Sequence, residues 1–323
     1  MITETDKQAT QAKPTIAGLG ELIWDILPEG RQLGGAPTNF AYISHALGNQ
    51  SIVASRIGTD ELGREALARL QRMGISTNYL QLDEQHPTGT VRVRIDEGGE
   101  ALFAVNENSA WDYLEWTAGW KELAPRIDAV CFGTLGQRKP QARETITSFI
   151  KHTRADALRI FDVNLRHSFF TAEMLRDSLL LATIVKLNSE ELSTIARMLK
   201  LNEDDEEALG RRILALFELE LVAITRGGNG SLLLTNAETV NHPGLKVQVK
   251  DTIGAGDAFT ATLAHYHLRR SPLRTINEAA NRMGAWIATQ AGATPEISPQ
   301  FLERLFDDID SHGVRKASFS KHK

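Results

Sequence analysis

Short apolar runs recur along this chain, each followed by a longer stretch of helical periodicity, and that alternation constrains the fold more than any other feature. The runs Ala129–Phe132, Arg159–Phe161, Ile184–Leu187 and Leu221–Ile224 are separated by helical segments at Gln141–Thr153, Ala172–Leu181 and Glu206–Leu216. The same rhythm opens the chain. Strands are expected at Thr15–Gly18, Glu21–Leu27 and Ser51–Ile57, with helices at Phe40–Leu47 and Glu61–Met73. Pro37 suits a first helical turn, and Gly48 and Gly74 suit helix stops. Strand–helix repetition of this kind builds a mostly parallel sheet with helices on both faces, an α/β fold.

One segment breaks the rhythm. In Thr90–Asp96, Val91, Val93 and Ile95 alternate with polar residues, Gly98 and Gly99 supply a turn, and Ala101–Val105 returns. Period two with one wet face marks an antiparallel hairpin. Two strands are marginal alone, so this hairpin is expected to join the strand around Asp25 in a small second sheet. Ser231–Leu234 and Lys246–Val249 read as a further strand pair, and helices at Ala258–Leu268 and Ile276–Gln290 close the fold. No repeat or low-complexity linker divides the chain. The expected organisation is one domain over residues 15–310 with lid strands from about 22–34 and 88–108, and loose tails at 1–14 and 311–323.

The bulk numbers exclude several function classes. The formal net charge is −5, which leaves no basic footprint for nucleic acid. No stretch approaches the ~18 apolar residues of a membrane span, and the polar N-terminus lacks the apolar core of a secretory signal. Cys131 is the only cysteine, so no intrachain disulfide is possible, and a buried inert thiol in a reducing cytoplasm is expected. The histidines show no metal-ligand spacing; Trp111, Trp116 and Trp120 read as packing residues.

The chemistry concentrates in Asp251-Thr252-Ile253-Gly254-Ala255-Gly256-Asp257-Ala258-Phe259. Small residues before an apolar helix aim several backbone N–H groups at one spot, which the helix dipole makes favourable for an anion. Asp257 stands at the edge of that spot. A carboxylate base beside a phosphate cradle suits phosphoryl transfer to an alcohol. Five other segments carry weaker signals. Thr225-Arg226-Gly227-Gly228-Asn229-Gly230 is either a hairpin turn or backbone brought close to a nucleotide phosphate. It is neither a Walker A loop nor a dinucleotide fingerprint. Asn188 and Glu191 either cap a helix or stand near a hydrated Mg²⁺. Arg166 follows a strand at the sheet edge where ligands gather, and Arg138 has a similar address. Asp25 lies in an apolar run, where a carboxylate is costly unless hydrogen-bonded.

Together these motifs resemble the PfkB or ribokinase-like carbohydrate kinases, over roughly Ile16 to Leu305. The match rests on Gly34-Gly35-Ala36-Pro37-Thr38-Asn39 with Gly58-Thr59-Asp60-Glu61-Leu62-Gly63, and on Asp251–Phe259. Gly20–Asp25, the Gly-Gly-Ala-Pro-x-Asn string, Asn106–Asp112 and Gln137-Arg138 look most like the fructokinase branch. Ribokinases usually carry Gly-Gly-Lys-Gly-Ala-Asn at the second of these places. The resemblance implies a ribokinase-like three-layer sandwich with a small β-sheet lid, and an ATP-dependent kinase making fructose 6-phosphate. The branch also includes enzymes for other ketoses and ketodeoxy sugar acids.

The resemblance also implies site roles. Asp257 would take the proton from the sugar hydroxyl, while Gly254, Ala255 and Gly256 would offer N–H groups to the transferring phosphoryl group. Asp25, Gly34, Gly35 and Asn39 would hold the sugar, helped by Arg138 and Arg166. Asn188 and Glu191 would organise Mg²⁺; Thr225, Gly227 and Gly230 would line the nucleotide, with Asn281 by the adenine. Asp251, Ile253, Ile287, Gln290 and Gly292 would hold a monovalent cation such as K⁺. The lid would close over the sugar and supply a homodimer contact.

Overall fold

The computed structural model describes residues 13–27, 30–95 and 101–315. The lid turn expected at 96–100 and most of both expected tails lie outside them. The chain begins with strands β1 (Thr15–Leu19), β2 (Ile23–Leu27) and β3 (Gly30–Gly34), helix α1 (Ala36–Ala46), strands β4 (Gln50–Ala54) and β5 (Arg56–Gly58), and helix α2 (Glu61–Arg72). It continues through β6 (Gln81–Asp83), the hairpin β7 (Gly89–Ile95) and β8 (Ala101–Val105), α3 (Ala118–Leu123), β9 (Ala129–Phe132), α4 (Pro140–Lys151) and β10 (Leu158–Asp162). Then follow α5 (Ala172–Leu181), β11 (Ile184–Asn188), α6 (Ser189–Leu199), α7 (Glu206–Leu216) and β12 (Leu221–Thr225). The last elements are β13 (Ser231–Leu234), β14 (Thr239–His242), α8 (Ala255–Leu268), α9 (Leu273–Ala288) and α10 (Pro299–Arg315).

Eight strands form the central sheet in the order β14-β13-β12-β11-β10-β9-β1-β4. All neighbours pair in parallel except β12–β13 and β13–β14, which are antiparallel. Two apolar layers sandwich the sheet. Ile16, Cys131, Ile160 and Ala223 face α1, α8 and α9; Ala17, Val130, Phe161 and Val222 face the opposite helices. Strict alternation along each strand sends successive side chains to opposite layers, as a doubly covered sheet requires. β1 and α1 approach closely because Gly18 has no side chain: a Cβ there would lie 1.9 Å from the Pro37 carbonyl oxygen. No helix among the described residues is long and apolar enough to cross a membrane.

The lid is a separate four-stranded sheet, β3-β2-β7-β8, in which the hairpin joins β2 as expected, the β2–β7 pairing being parallel. Asp60 anchors its base. One carboxylate oxygen of Asp60 caps α2 through the Gly63 N–H (2.8 Å), and the other accepts the Thr88 N–H (2.9 Å) just before β7.

Four expectations need correction. Ser51–Ile57 is not one strand: β4 ends at Ala54, and β5 leaves the main sheet to pair with β6. Lys246–Val249 is not a strand; the partner of β13 is the more polar Thr239–His242. Helix α8 starts at Ala255, three residues early, because Gly254 serves as its N-cap with a left-handed backbone (φ 78°). Helix α9 starts at Leu273 and ends at Ala288, behind Pro272 at its N-cap. Cys131 is buried as expected.

Candidate active site

A cavity of about 740 Å³ lies at the C-terminal ends of the parallel strands, between the main domain and the lid. That edge is where open α/β sheets bind ligands. The first turn of α8 forms its floor. The Ala255 N–H bonds weakly to the Thr252 carbonyl (3.3 Å), while among the described residues the N–H groups of Gly254, Gly256 and Asp257 have no backbone acceptor. Gly254 cannot be replaced, because a Cβ there would sit 2.4 Å from the Ala293 Cβ.

Asp257 is 9% exposed and lines the cavity. Its Oδ2 accepts a hydrogen bond from Asn39 Nδ2 at 2.8 Å, and Oδ1 has no protein donor among the described residues. Burial, then the nearby Asp162 carboxylate, push its pKa up to about 6; the Asn39 bond, Lys186 and Arg166 pull the other way. A base poised near neutrality with one free oxygen is suited to taking a proton from an alcohol.

Two charged residues that line this cavity escaped the sequence reading, although both lie in strings it quoted. Lys186, on β11, is buried and lines the cavity, with Nζ donating to Asp162 Oδ1 at 3.0 Å. Burial opposes its charge, but Asp162, Glu191 and Asp257 more than offset this and raise its pKa. Its ammonium reaches the floor of the anion cradle because Gly256 lacks a side chain; a Cβ there would stand 2.9 Å from Nζ. Glu21, just after β1, is the second. Burial, and to a lesser degree Asp257, raise its pKa to about 7. The available signal was a charged residue inside or directly after an apolar strand, which is costly without a purpose.

The lid end of the cavity gathers Asp25, Asn39, Gly35 and Arg166 from three separate segments, beside an apolar wall of Ile23, Val91, Val105 and Leu135. Asp25 accepts no hydrogen bond from a described residue. Burial and the like charge of Asp251 raise its pKa to about 6, against Arg166. Gly34 is outside the lining, but it makes room for Asp25: a Cβ there would lie 2.7 Å from Asp25 Oδ2. Arg138 does not belong to the cavity, contrary to its expected role. Asp112, 26 residues away, captures it through two 2.7 Å bonds, and its guanidinium stacks 4.0 Å over Trp111.

At the opposite end, Asn188, Glu191, Thr225, Gly227, Gly230 and Asn281 all line the same cavity. Asn188 and Glu191 form a reciprocal capping box on α6, with bonds of 2.9 and 2.8 Å, and Glu191 Oε1 also accepts the Leu165 N–H at 2.9 Å. The capping reading is therefore correct, and it leaves the acidic side chain fixed in orientation. Asn281 turns its amide inward, donating to Ser231 Oγ (2.7 Å) and the Asn277 carbonyl (2.8 Å). Of the expected cation set, Ile253 lines the cavity and Asp251 ties the region together, accepting from the Ile253 and Gly292 N–H groups at 2.9 and 3.0 Å. Ile287, Gln290 and Gly292 lie outside the lining.

Known proteins share this architecture. The model of the pfkB family carbohydrate kinases matches residues 29–300. A fructokinase of Escherichia coli is 31% identical over 299 residues, spanning 85% of this chain and 93% of that protein. The aminoimidazole riboside kinase of Salmonella typhimurium is 26% identical over 318 residues, spanning 93% and 96%. The solved structure of Xylella fastidiosa fructokinase with bound ATP superposes with a TM-score of 0.79 over 92% of this chain and 99% of that one, at 22% identity, a likeness of fold.

Proposed function

The chain belongs to the pfkB family of carbohydrate kinases and is a phosphotransferase acting on a sugar hydroxyl; from that premise we propose that it transfers the γ-phosphate of ATP to fructose, giving fructose 6-phosphate. The observation that carries the reading is the placement of Asp257. One carboxylate faces a cavity with a phosphate cradle on one side and hydroxyl-binding groups on the other. In the proposed step, Asp257 takes the proton from the acceptor hydroxyl as its oxygen attacks the terminal phosphorus. The bond to the β,γ-bridging oxygen breaks, and ADP leaves. The Gly256 and Asp257 N–H groups and the Lys186 ammonium face the charge of the transferring group.

Mg²⁺ neutralises phosphate charge when bound. The Asn188–Glu191 pair fits it: both offer hard oxygen atoms held by backbone bonds, and Mg²⁺ accepts ligands through retained water. We assign the junction around Asp251 to a monovalent cation such as K⁺, which would steady the α8 turn. The lid sheet covers the acceptor, and its free edges at β3 and β8 are the candidate contact of a homodimer. A cytoplasmic setting, where ATP is supplied, accompanies this reading.

The charge at the lid end supports a neutral sugar. Glu21, Asp25 and Asp257 face it with Arg166 as the opposing cation, a set that disfavours a sugar acid. A nucleoside acceptor is the second reading, favoured by the apolar wall of Ile23, Val91, Val105 and Leu135, on which a base would rest. ADP release across fructose, ribose, 2-keto-3-deoxygluconate and a nucleoside separates these. Fructose is expected to give the highest kcat/KM, with the sugar acid at least about tenfold lower, a difference of about 1.4 kcal/mol. Preference for the acid or the nucleoside would reassign the acceptor. Sugar binding without ADP from any of them would mark a non-catalytic binder.

A further inference from the structure

Asp162 and Lys186 are register partners on the adjacent parallel strands β10 and β11. Ile160 and Ile184, two residues earlier on the same face, belong to the apolar layer beneath α1, α8 and α9. A carboxylate and an ammonium in such a layer are costly, and these two are 3% and 7% exposed. Replacing a buried ion pair by apolar residues is often neutral or stabilising, so stability alone does not account for this one.

The contacts of Asp162 point to a different use. Lys186 lines the cavity, whereas Asp162 is not part of the lining. Asp162 Oδ1 accepts from Lys186 Nζ at 3.0 Å, and Oδ2 accepts from the buried Thr260 hydroxyl at 2.8 Å. Thr260 stands one turn into α8, with its oxygen 3.0 Å from the Gly256 carbonyl oxygen. One carboxylate thereby ties β11 to the first turn of α8 from behind the cradle. The neighbouring acids are engaged elsewhere: Glu191 accepts the Leu165 and Asn188 N–H groups, and Asp257 Oδ2 accepts from Asn39. Asp162 is the one hydrogen-bond acceptor of Lys186 among the described residues, which leaves two of the three ammonium donors open beside Gly256.

We propose that Asp162 is a positioning residue for phosphoryl transfer: it holds the Lys186 ammonium against the start of α8, with the open donors directed to the oxygens of the transferring group. This deepens the kinase reading above and rests on it. Asp162→Asn keeps the shape of the side chain and removes the charge that fixes the ammonium. It is expected to lower kcat by about 10–100-fold, with KM for ATP and for the acceptor within about threefold of the parent. Because Asp162 acts through Lys186, the same change made in Lys186→Met is expected to lower kcat by less than about twofold. Losses that multiply in the double variant, or a kcat of Asp162→Asn equal to the parent, overturn the proposal.

A binding measurement on the full chain decides the matter without turnover, and without Lys186→Met should that variant not fold. Aluminium fluoride with Mg²⁺ADP and the acceptor mimics the phosphoryl group in flight. The parent is expected to bind Mg²⁺ADP more tightly with aluminium fluoride than without it, and Asp162→Asn to lose about tenfold of that gain while keeping its affinity for Mg²⁺ADP alone. An undiminished gain in Asp162→Asn, or no gain in the parent, overturns the proposal. The expected loss in a parent chain that forms no ADP with any acceptor would reject the kinase reading and leave the role of Asp162 in the cradle as proposed.

Discussion

Replacing Asp257 by Asn is expected to lower kcat by about 10²–10⁴ while leaving folding and nucleotide binding intact. Asn keeps the volume at the start of α8 and the first-turn N–H groups, so the phosphate cradle survives, but the proton acceptor is gone. Steady-state kinetics and ATP titration of the purified variant check both halves. Activity equal to the parent would remove Asp257 from the role of base. The same assignment fixes the pH dependence. A base must be ionised to act, and the folded-state pKa of Asp257 is raised to about 6. The kcat/KM of the parent is therefore expected to fall about tenfold per pH unit below about pH 6.

The second large effect is expected at the acceptor end. Asp25→Ala should reduce kcat/KM for the sugar by about 10²–10³, or about 3–4 kcal/mol, mostly through KM, without changing KM for ATP. Asp25 has no hydrogen-bond donor among the described residues, yet it is half-buried with its pKa raised to about 6. A carboxylate held in that condition gains from accepting substrate hydroxyls, and removing it forfeits those charge-assisted bonds. A loss shared equally by the two substrates would indicate that the change disturbed the lid rather than the sugar contact.

Much of the architecture was legible in local pattern, because each strand–helix unit announces itself through period and stop signals. The parallel sheet, the hairpin lid and the cradle before α8 all follow from residues adjacent in sequence. The misreadings have a common cause: the deciding partner is distant along the chain. Arg138 looked like a ligand because nothing near it in sequence reveals Asp112, which takes its guanidinium 26 residues away. Lys186 has no role in the sequence reading, because its partner Asp162 lies on the neighbouring strand β10. Lys246–Val249 has the alternation of a strand, but that alternation presents an apolar wall to a cavity instead of a sheet to the core. Its place beside β13 is taken by Thr239–His242, an edge strand whose polar residues concealed it. Gly-Ala-Gly delayed the expected start of α8, whereas the structure uses Gly254 as the cap and Gly256 inside the first turn, where Lys186 needs the space.

The central claim is spatial: one carboxylate serves the acceptor hydroxyl and the terminal phosphate together. The most direct test is a crystal structure of the chain with fructose, Mg²⁺ and a non-hydrolysable ATP analogue. The expected result places a sugar hydroxyl about 2.6–3.2 Å from an Asp257 carboxylate oxygen, with the terminal phosphate over the Gly256 and Asp257 N–H groups. A sugar bound at the lid with every hydroxyl beyond reach of Asp257, or a terminal phosphate away from the start of α8, would contradict it.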